Sequence, residues 1–165
     1  MKQTIALISI GIVTGYSIVS ADVAHSTAKT SMQPPMTNPS STTVFVRYMV
    51  DDVDAAVAFY TNHLGFTLDE ASAPAFAAVS RGNLRLLLSG EKSSGRRPMP
   101  DGTKPVPGGW NRIQLRVSDI KAQAARLRAA GVKFRRDDMV SGPGGSQIWV
   151  VDPSGNLIEI FQPKE

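Results

Sequence analysis

The 165-residue chain contains no cysteine, only two histidines and, at 7%, few aromatic residues. Without cysteine there can be no disulfide, no thiolate nucleophile and no sulfur-ligated metal. The histidines, His25 and His63, both lie outside the stretches that read as strands. A centre of two histidines and one carboxylate therefore cannot be assembled on a sheet. Concentrated positive charge is missing too. Lys and Arg number 18 against 14 Asp and Glu, a net charge of +4, but they are scattered. No basic helix or aromatic-interleaved basic stripe forms, which argues against nucleic acid and leaves the basicity as a solubility feature. At 42% hydrophobic residues, a chain of this length can bury one good core and hardly two.

Only one long apolar run exists, Ile5 to Val19, preceded by Met1-Lys2-Gln3 and followed by Val19-Ser20-Ala21. A short basic start, an apolar middle and a small-x-small ending read as a secretory signal over residues 1–21, with a mature chain from Asp22. A retained membrane anchor is the competing reading. The run is shorter than the ~20 residues a spanning helix needs, and Gly11 and Gly15 weaken it further. Residues 22–42, rich in Ser, Thr, Pro and Met, read as a disordered tether. The expectation is an exported protein, periplasmic or secreted, with no membrane segment once the signal is cleaved.

The remainder, residues 43–163, repeats itself. Asp52-Val53 recurs as Asp119-Ile120, from residue 52 to residue 119, an offset of 67. Gly65 matches Gly131 at an offset of 66, and Gly82-Asn83-Leu84 matches Gly155-Asn156-Leu157 at 73. Near-constant offsets mark a duplicated unit. Each unit (43–89 and 110–163) reads strand, helix, strand, strand, strand. Asp51 or Asp52 caps the first helix and Ser118 or Asp119 the second, while Gly65 and Gly131 end them. A loop is expected around Asp138 to Ser146. Gly142-Pro143-Gly144-Gly145 within it lacks the lysine and the strand-loop-helix setting of a phosphate cradle. The Gly/Pro-rich stretch 90–109 joins the units as a mobile connector or a lid. Asp152-Pro153-Ser154-Gly155 reads as a tight turn and nothing more. The fold class is α+β: two tandem βαβββ modules whose sheets, each covered by a helix on one face, turn their other faces into a cup.

The last strand, Leu157 to Phe161, carries one carboxylate, Glu159, among apolar residues. An ionised carboxylate inside a sheet costs several kcal/mol unless a cation, a metal or hydrogen-bond donors face it.

Val50-Asp51-Asp52-Val53, Phe59-Tyr60 and Leu64-Gly65-Phe66, followed by Asp152-Pro153-Ser154-Gly155-Asn156 and Glu159, resemble the vicinal oxygen chelate superfamily. This family includes glyoxalases, extradiol dioxygenases, fosfomycin-modifying enzymes and bleomycin-resistance proteins. The resemblance covers nearly all of residues 43–163 and implies paired βαβββ modules. It also implies, for the family's enzymes, a divalent metal held at four strand positions, on the first and last strand of each unit. Carried over position by position, those sites hold Phe45, Leu86, Arg112 and Glu159. Only Glu159 is a usual ligand, so the metal site is expected to be dismantled, with Arg112 in the vacated position and Gln114 beside it.

Alternation along the strands places Phe45, Arg47 and Met49, then Arg112, Gln114 and Arg116, and also Leu84, Leu86, Leu88, Leu157, Glu159 and Phe161 on the cup face. The favoured reading is a binding protein for a small polar or anionic molecule, without a cofactor. Its ligand-binding residues would be Arg47, Arg112, Gln114, Arg116, Phe45 and Trp110. The alternative is a metal-dependent enzyme of glyoxalase or dioxygenase type that uses Glu159 as ligand or catalytic base. The modules can pair within one chain or between two, which admits a homodimer.

Overall fold

The computed structural model describes residues 42–164, so the expected signal segment and all but the last residue of the tether lie outside the described residues. Eight strands and two α-helices follow in the order β1 (Val44–Met49), α1 (Val53–Leu64), β2 (Thr67–Ser72), β3 (Phe76–Arg81), β4 (Leu84–Ser89), β5 (Arg112–Arg116), α2 (Ile120–Ala129), β6 (Phe134–Gly142), β7 (Gly145–Val151) and β8 (Leu157–Pro163), with one short 3-10 turn, Ser94–Arg96, between β4 and β5. They form two four-stranded sheets of the same plan, β1-β4-β3-β2 and β5-β8-β7-β6. In each, the first strand runs parallel to the last and the remaining pairs are antiparallel. This is the α+β architecture of two βαβββ modules.

The helix signals act where the sequence places them. The Asp52 carboxylate accepts from Ala55 N–H at 2.9 Å, and the Asp119 carboxylate accepts from Ala122 N–H at 2.9 Å. Each satisfies one donor that the first helical turn leaves free. Gly65 (φ 70°) and Gly131 (φ 73°) take the left-handed conformation that terminates both helices. The apolar faces of the sheets and helices join into one core running through both modules, with Val50, Tyr60, Leu86, Leu88, Leu127 and Ile158 fully buried.

Strand register corrects one expectation. Phe45 lies opposite Arg85, Arg47 opposite Leu87 and Met49 opposite Ser89, whereas Gln114 lies opposite Glu159 and Arg116 opposite Phe161. Val50 N–H donates to Ser89 O just as Val117 N–H donates to Phe161 O. The offset of 67 from Val50 to Val117 thus accompanies one of 72 from Ser89 to Phe161, not the 73 of the Gly-Asn-Leu tripeptides. The cause is the preceding turn. Residues 82–83 alone join β3 to β4, while residues 152–156 join β7 to β8. A shift of one residue exchanges the faces of a strand. Leu84, Leu86 and Leu88 therefore pack into the core, and the counterpart of Glu159 is Leu87. A second correction concerns residues 138–146. They form the ends of a β6–β7 hairpin rather than a long loop, with Ser141 paired to Ser146 and Gly142 to Gly145.

The turn at Asp152 is more than a turn. Its carboxylate is 3% exposed and accepts from Ser154 N–H, Asn156 N–H, the Asn156 side chain and, across the module boundary, the Tyr60 hydroxyl at 3.2 Å. Burial raises the Asp152 pKa, and the bonds from Asn156 and Ser154 oppose that rise. Nearby, the Tyr48 hydroxyl donates to Leu157 O at 3.1 Å and accepts from Ile113 N–H at 3.0 Å. Asn156 donates to Met49 O at 2.9 Å. These buried bonds fasten the modules together, and each satisfies a polar group that would be costly to leave alone.

Candidate functional site

The face of the second sheet turned away from α2 collects polar side chains around a single acid. Residues paired across strands share a face, so Arg112, Gln114 and Arg116 of β5 stand beside Leu157, Glu159 and Phe161 of β8, and Trp149 stands opposite Glu159 on β7. Ile113, Leu115, Ile158 and Ile160 alternate with them and are buried on the other side. Glu159 is 5% exposed. Its Oε2 accepts from Arg112 Nε at 2.6 Å and its Oε1 from Gln114 Nε2 at 2.7 Å. With its amide turned so that nitrogen faces the acid, Gln147 adds donations at 3.0 and 3.1 Å. The Arg112 guanidinium in turn lies over the Trp149 ring, 4.3 Å from its centre, and Arg136 approaches the same ring at 5.6 Å.

Each link has a physical cause. A carboxylate withdrawn from water keeps its charge when a guanidinium and neutral donors saturate its oxygens. The indole offers the guanidinium a negative face and excludes water from it. The outcome is an acid whose lone pairs are committed and a cation, half-covered, fixed in one orientation.

The structure brings together Arg112, Gln114 and Glu159 of the residues singled out from sequence. Arg116 shares their face one pair further along β8. Trp110 adjoins them through its carbonyl, which accepts from Arg112 Nη1 at 3.4 Å. Phe45 and Arg47 belong to the first sheet and find their partners there. The Phe45 ring lies 5.9 Å from the Arg85 guanidinium carbon, and Arg47 Nη1 donates to Ser89 Oγ at 2.6 Å beneath Gly95 of the connector. The connector is pinned at both ends, by Arg96 donating to Val50 O at 3.0 Å and by Gly108 N–H donating to the Asn156 side chain at 2.9 Å. Sequence reading missed Gln147, Trp149, Arg135 and Arg136. Alternation along Gln147-Ile148-Trp149-Val150 signals the first two. The arginines were not legible, because an irregularity in β6 between Phe134 and Arg136 breaks the period of two there.

The four strand positions that the resemblance marks for a metal hold Phe45, Leu87, Arg112 and Glu159 once the observed register is applied. Two are apolar, one is a cation, and the fourth already has both oxygens engaged. No group of three or more His, Cys, Asp or Glu gathers among the described residues. A divalent ion bound at Glu159 would have to displace the Arg112 guanidinium from the carboxylate.

The model of the Glyoxalase/Bleomycin resistance protein/Dioxygenase superfamily matches residues 42–160. Among curated proteins the chain is 26% identical over 119 residues to CFP32 of Mycobacterium bovis, named as a candidate glyoxylase. The match takes in 72% of this chain but 44% of CFP32, so the chain spans less than half the length of that relative. Among solved structures, TnmS3, an antibiotic binding protein from Streptomyces sp. CB03234, superposes with a TM-score of 0.58 at 28% identity, over 75% of this chain and 97% of TnmS3. Lactoylglutathione lyase from Agrobacterium tumefaciens superposes with a TM-score of 0.60 at 22% identity, over 76% and 95% of the two chains, a likeness of fold alone.

Proposed function

Because the chain belongs to the glyoxalase/bleomycin resistance protein/dioxygenase superfamily, we propose that it is an exported member that binds a small polar or anionic molecule on the helix-free face of its second sheet, without a metal. The observation that carries this reading is the 2.6 Å pairing of Arg112 with Glu159. It engages the acid that a metal or a proton-transfer step would need, and it aims a cation across the face. Arg112, Gln114, Arg116 and Trp110 would make the polar and stacking contacts, and binding of this kind requires directed groups on a concave surface rather than a reactive one. The likeness to TnmS3 supports a binding role. The basic, apolar, small-residue N-terminus supports export.

Catalysis through Glu159 would first require breaking its pair with Arg112 and its bond from Gln114. The test is made on the purified full chain. Elemental analysis should find no stoichiometric divalent ion, and the melting temperature should not respond to Ni²⁺, Zn²⁺, Fe²⁺ or Mn²⁺. Lactoylglutathione should not turn over. A tightly bound ion at one per chain, or a metal-dependent rise in melting temperature, would overturn the metal-independent reading.

A further inference from the structure

Beside Arg112, at the start of β5, lies a cavity of about 290 Å³ lined by Gly108, Gly109, Trp110, Arg135, Gly155 and Leu157. None of these residues is acidic. Trp110 is 67% exposed, although an indole is among the costliest side chains to leave in water. Its backbone is nevertheless fixed, since Gly108 and Gly109 turn with φ of 91° and 90° and Gly108 N–H is held by the buried Asn156 side chain. The Arg135 guanidinium carbon stands 5.5 Å from the Trp110 ring centre, and Leu157, 3% exposed, supplies an apolar wall. The chain's other tryptophan differs. Trp149 carries Arg112 at 4.3 Å and Arg136 at 5.6 Å, and serves as a mount for these cations.

We infer that this cavity takes a planar aromatic ring bearing an anionic group such as a carboxylate or sulfonate. The ring stacks on the exposed indole and against Leu157, and the anion meets the Arg135 guanidinium. An aromatic face, an apolar wall and a cation within one small space match such a ligand in each part. The inference rests on the binding function proposed above and names the chemical class of ligand.

Isothermal titration of the full chain with naphthalene-2-sulfonate tests it, set beside cyclohexanesulfonate, uncharged naphthalene-2-methanol and inorganic phosphate. Naphthalene-2-sulfonate should bind at least about tenfold more tightly than any of the others. Trp110→Ala and Arg135→Gln should each weaken it by a similar factor while leaving the melting temperature unchanged. Equal binding of cyclohexanesulfonate would overturn the aromatic class and leave the small-molecule reading standing. Naphthalene-2-sulfonate binding that is lost in Arg116→Gln but kept in Trp110→Ala would overturn the assignment to this cavity and also leave that reading standing. If none of the four probes binds the folded protein, the aromatic-anion class falls, while the metal and lactoylglutathione tests above decide the reading beneath it separately.

Discussion

Arg112 and Glu159 hold each other in place, and neither is neutral to remove. Arg112→Ala leaves a buried carboxylate with only amide donors, which should lower stability by about 3 kcal/mol, the low end for a broken buried pair. Glu159→Gln keeps the shape and part of the hydrogen bonding, and should cost less. The double variant Arg112→Leu/Glu159→Leu should recover most of the Arg112→Ala loss, because removing both charges removes the desolvation penalty with them. Urea unfolding of the four proteins checks this. Equal stability of Arg112→Ala and wild type would mean that the acid is solvated. The pair itself could be anticipated from sequence, since an acid in an apolar strand needs a partner and Arg112 sat at the matching position. Alternation along β7 shows that Trp149 shares a face with Gln147, but that its indole lies beneath the guanidinium depends on which residue of β8 it pairs with.

At the scale of elements, the faces of β4 decide which leucine answers to Glu159. Leu86 is fully buried against α1 and its surroundings, while Leu87, half-buried, shares the face of Arg47. Leu86→Asn should therefore cost about 3 kcal/mol or more by placing an amide in the core, and Leu87→Asn about 1 kcal/mol or less. Thermal or urea unfolding separates the two, and reversed magnitudes would restore the tripeptide alignment. The tripeptide misled because turn residues repeat for turn reasons. Gly82-Asn83 closes a two-residue connection, whereas Gly155-Asn156 ends a five-residue one in which Asp152 N–H also donates to Asn156 O at 3.0 Å. Helix boundaries were legible, by contrast, because caps and terminators act within one turn of chain.

Across the whole molecule, the modules are joined by two buried phenols. Burial raises the pKa of Tyr48 and of Tyr60 above the usual phenol value of 10.0, with the Asp152 charge adding to both and the bond from Ile113 opposing the rise at Tyr48. A raised folded-state pKa means that the unfolded chain releases these protons first as pH increases. Their stabilisation is complete below about pH 10 and is lost above it, by up to about 1.4 kcal/mol per pH unit for each phenol. Tyr48→Phe should shallow this alkaline slope and also destabilise the protein at neutral pH, since Leu157 O and Ile113 N–H lose their partner. Unfolding free energy measured from pH 8 to 11 in both proteins provides the check. An unchanged slope would mean that Tyr48 ionises freely in the folded state.

Local chemistry in the sequence determined the duplicated βαβββ order, the Asp52 and Asp119 caps, the glycine terminators and the lone acid on β8, because each is set by neighbours a few residues away. Tertiary structure alone decided which face β4 presents, how Asp152 and Tyr48 fasten the modules, and how Trp149 comes to carry Arg112 and Arg136 while Arg135 meets Trp110. Those outcomes follow from strand register, an irregularity in β6 and desolvation at the module boundary, all of which arise only when distant segments pack.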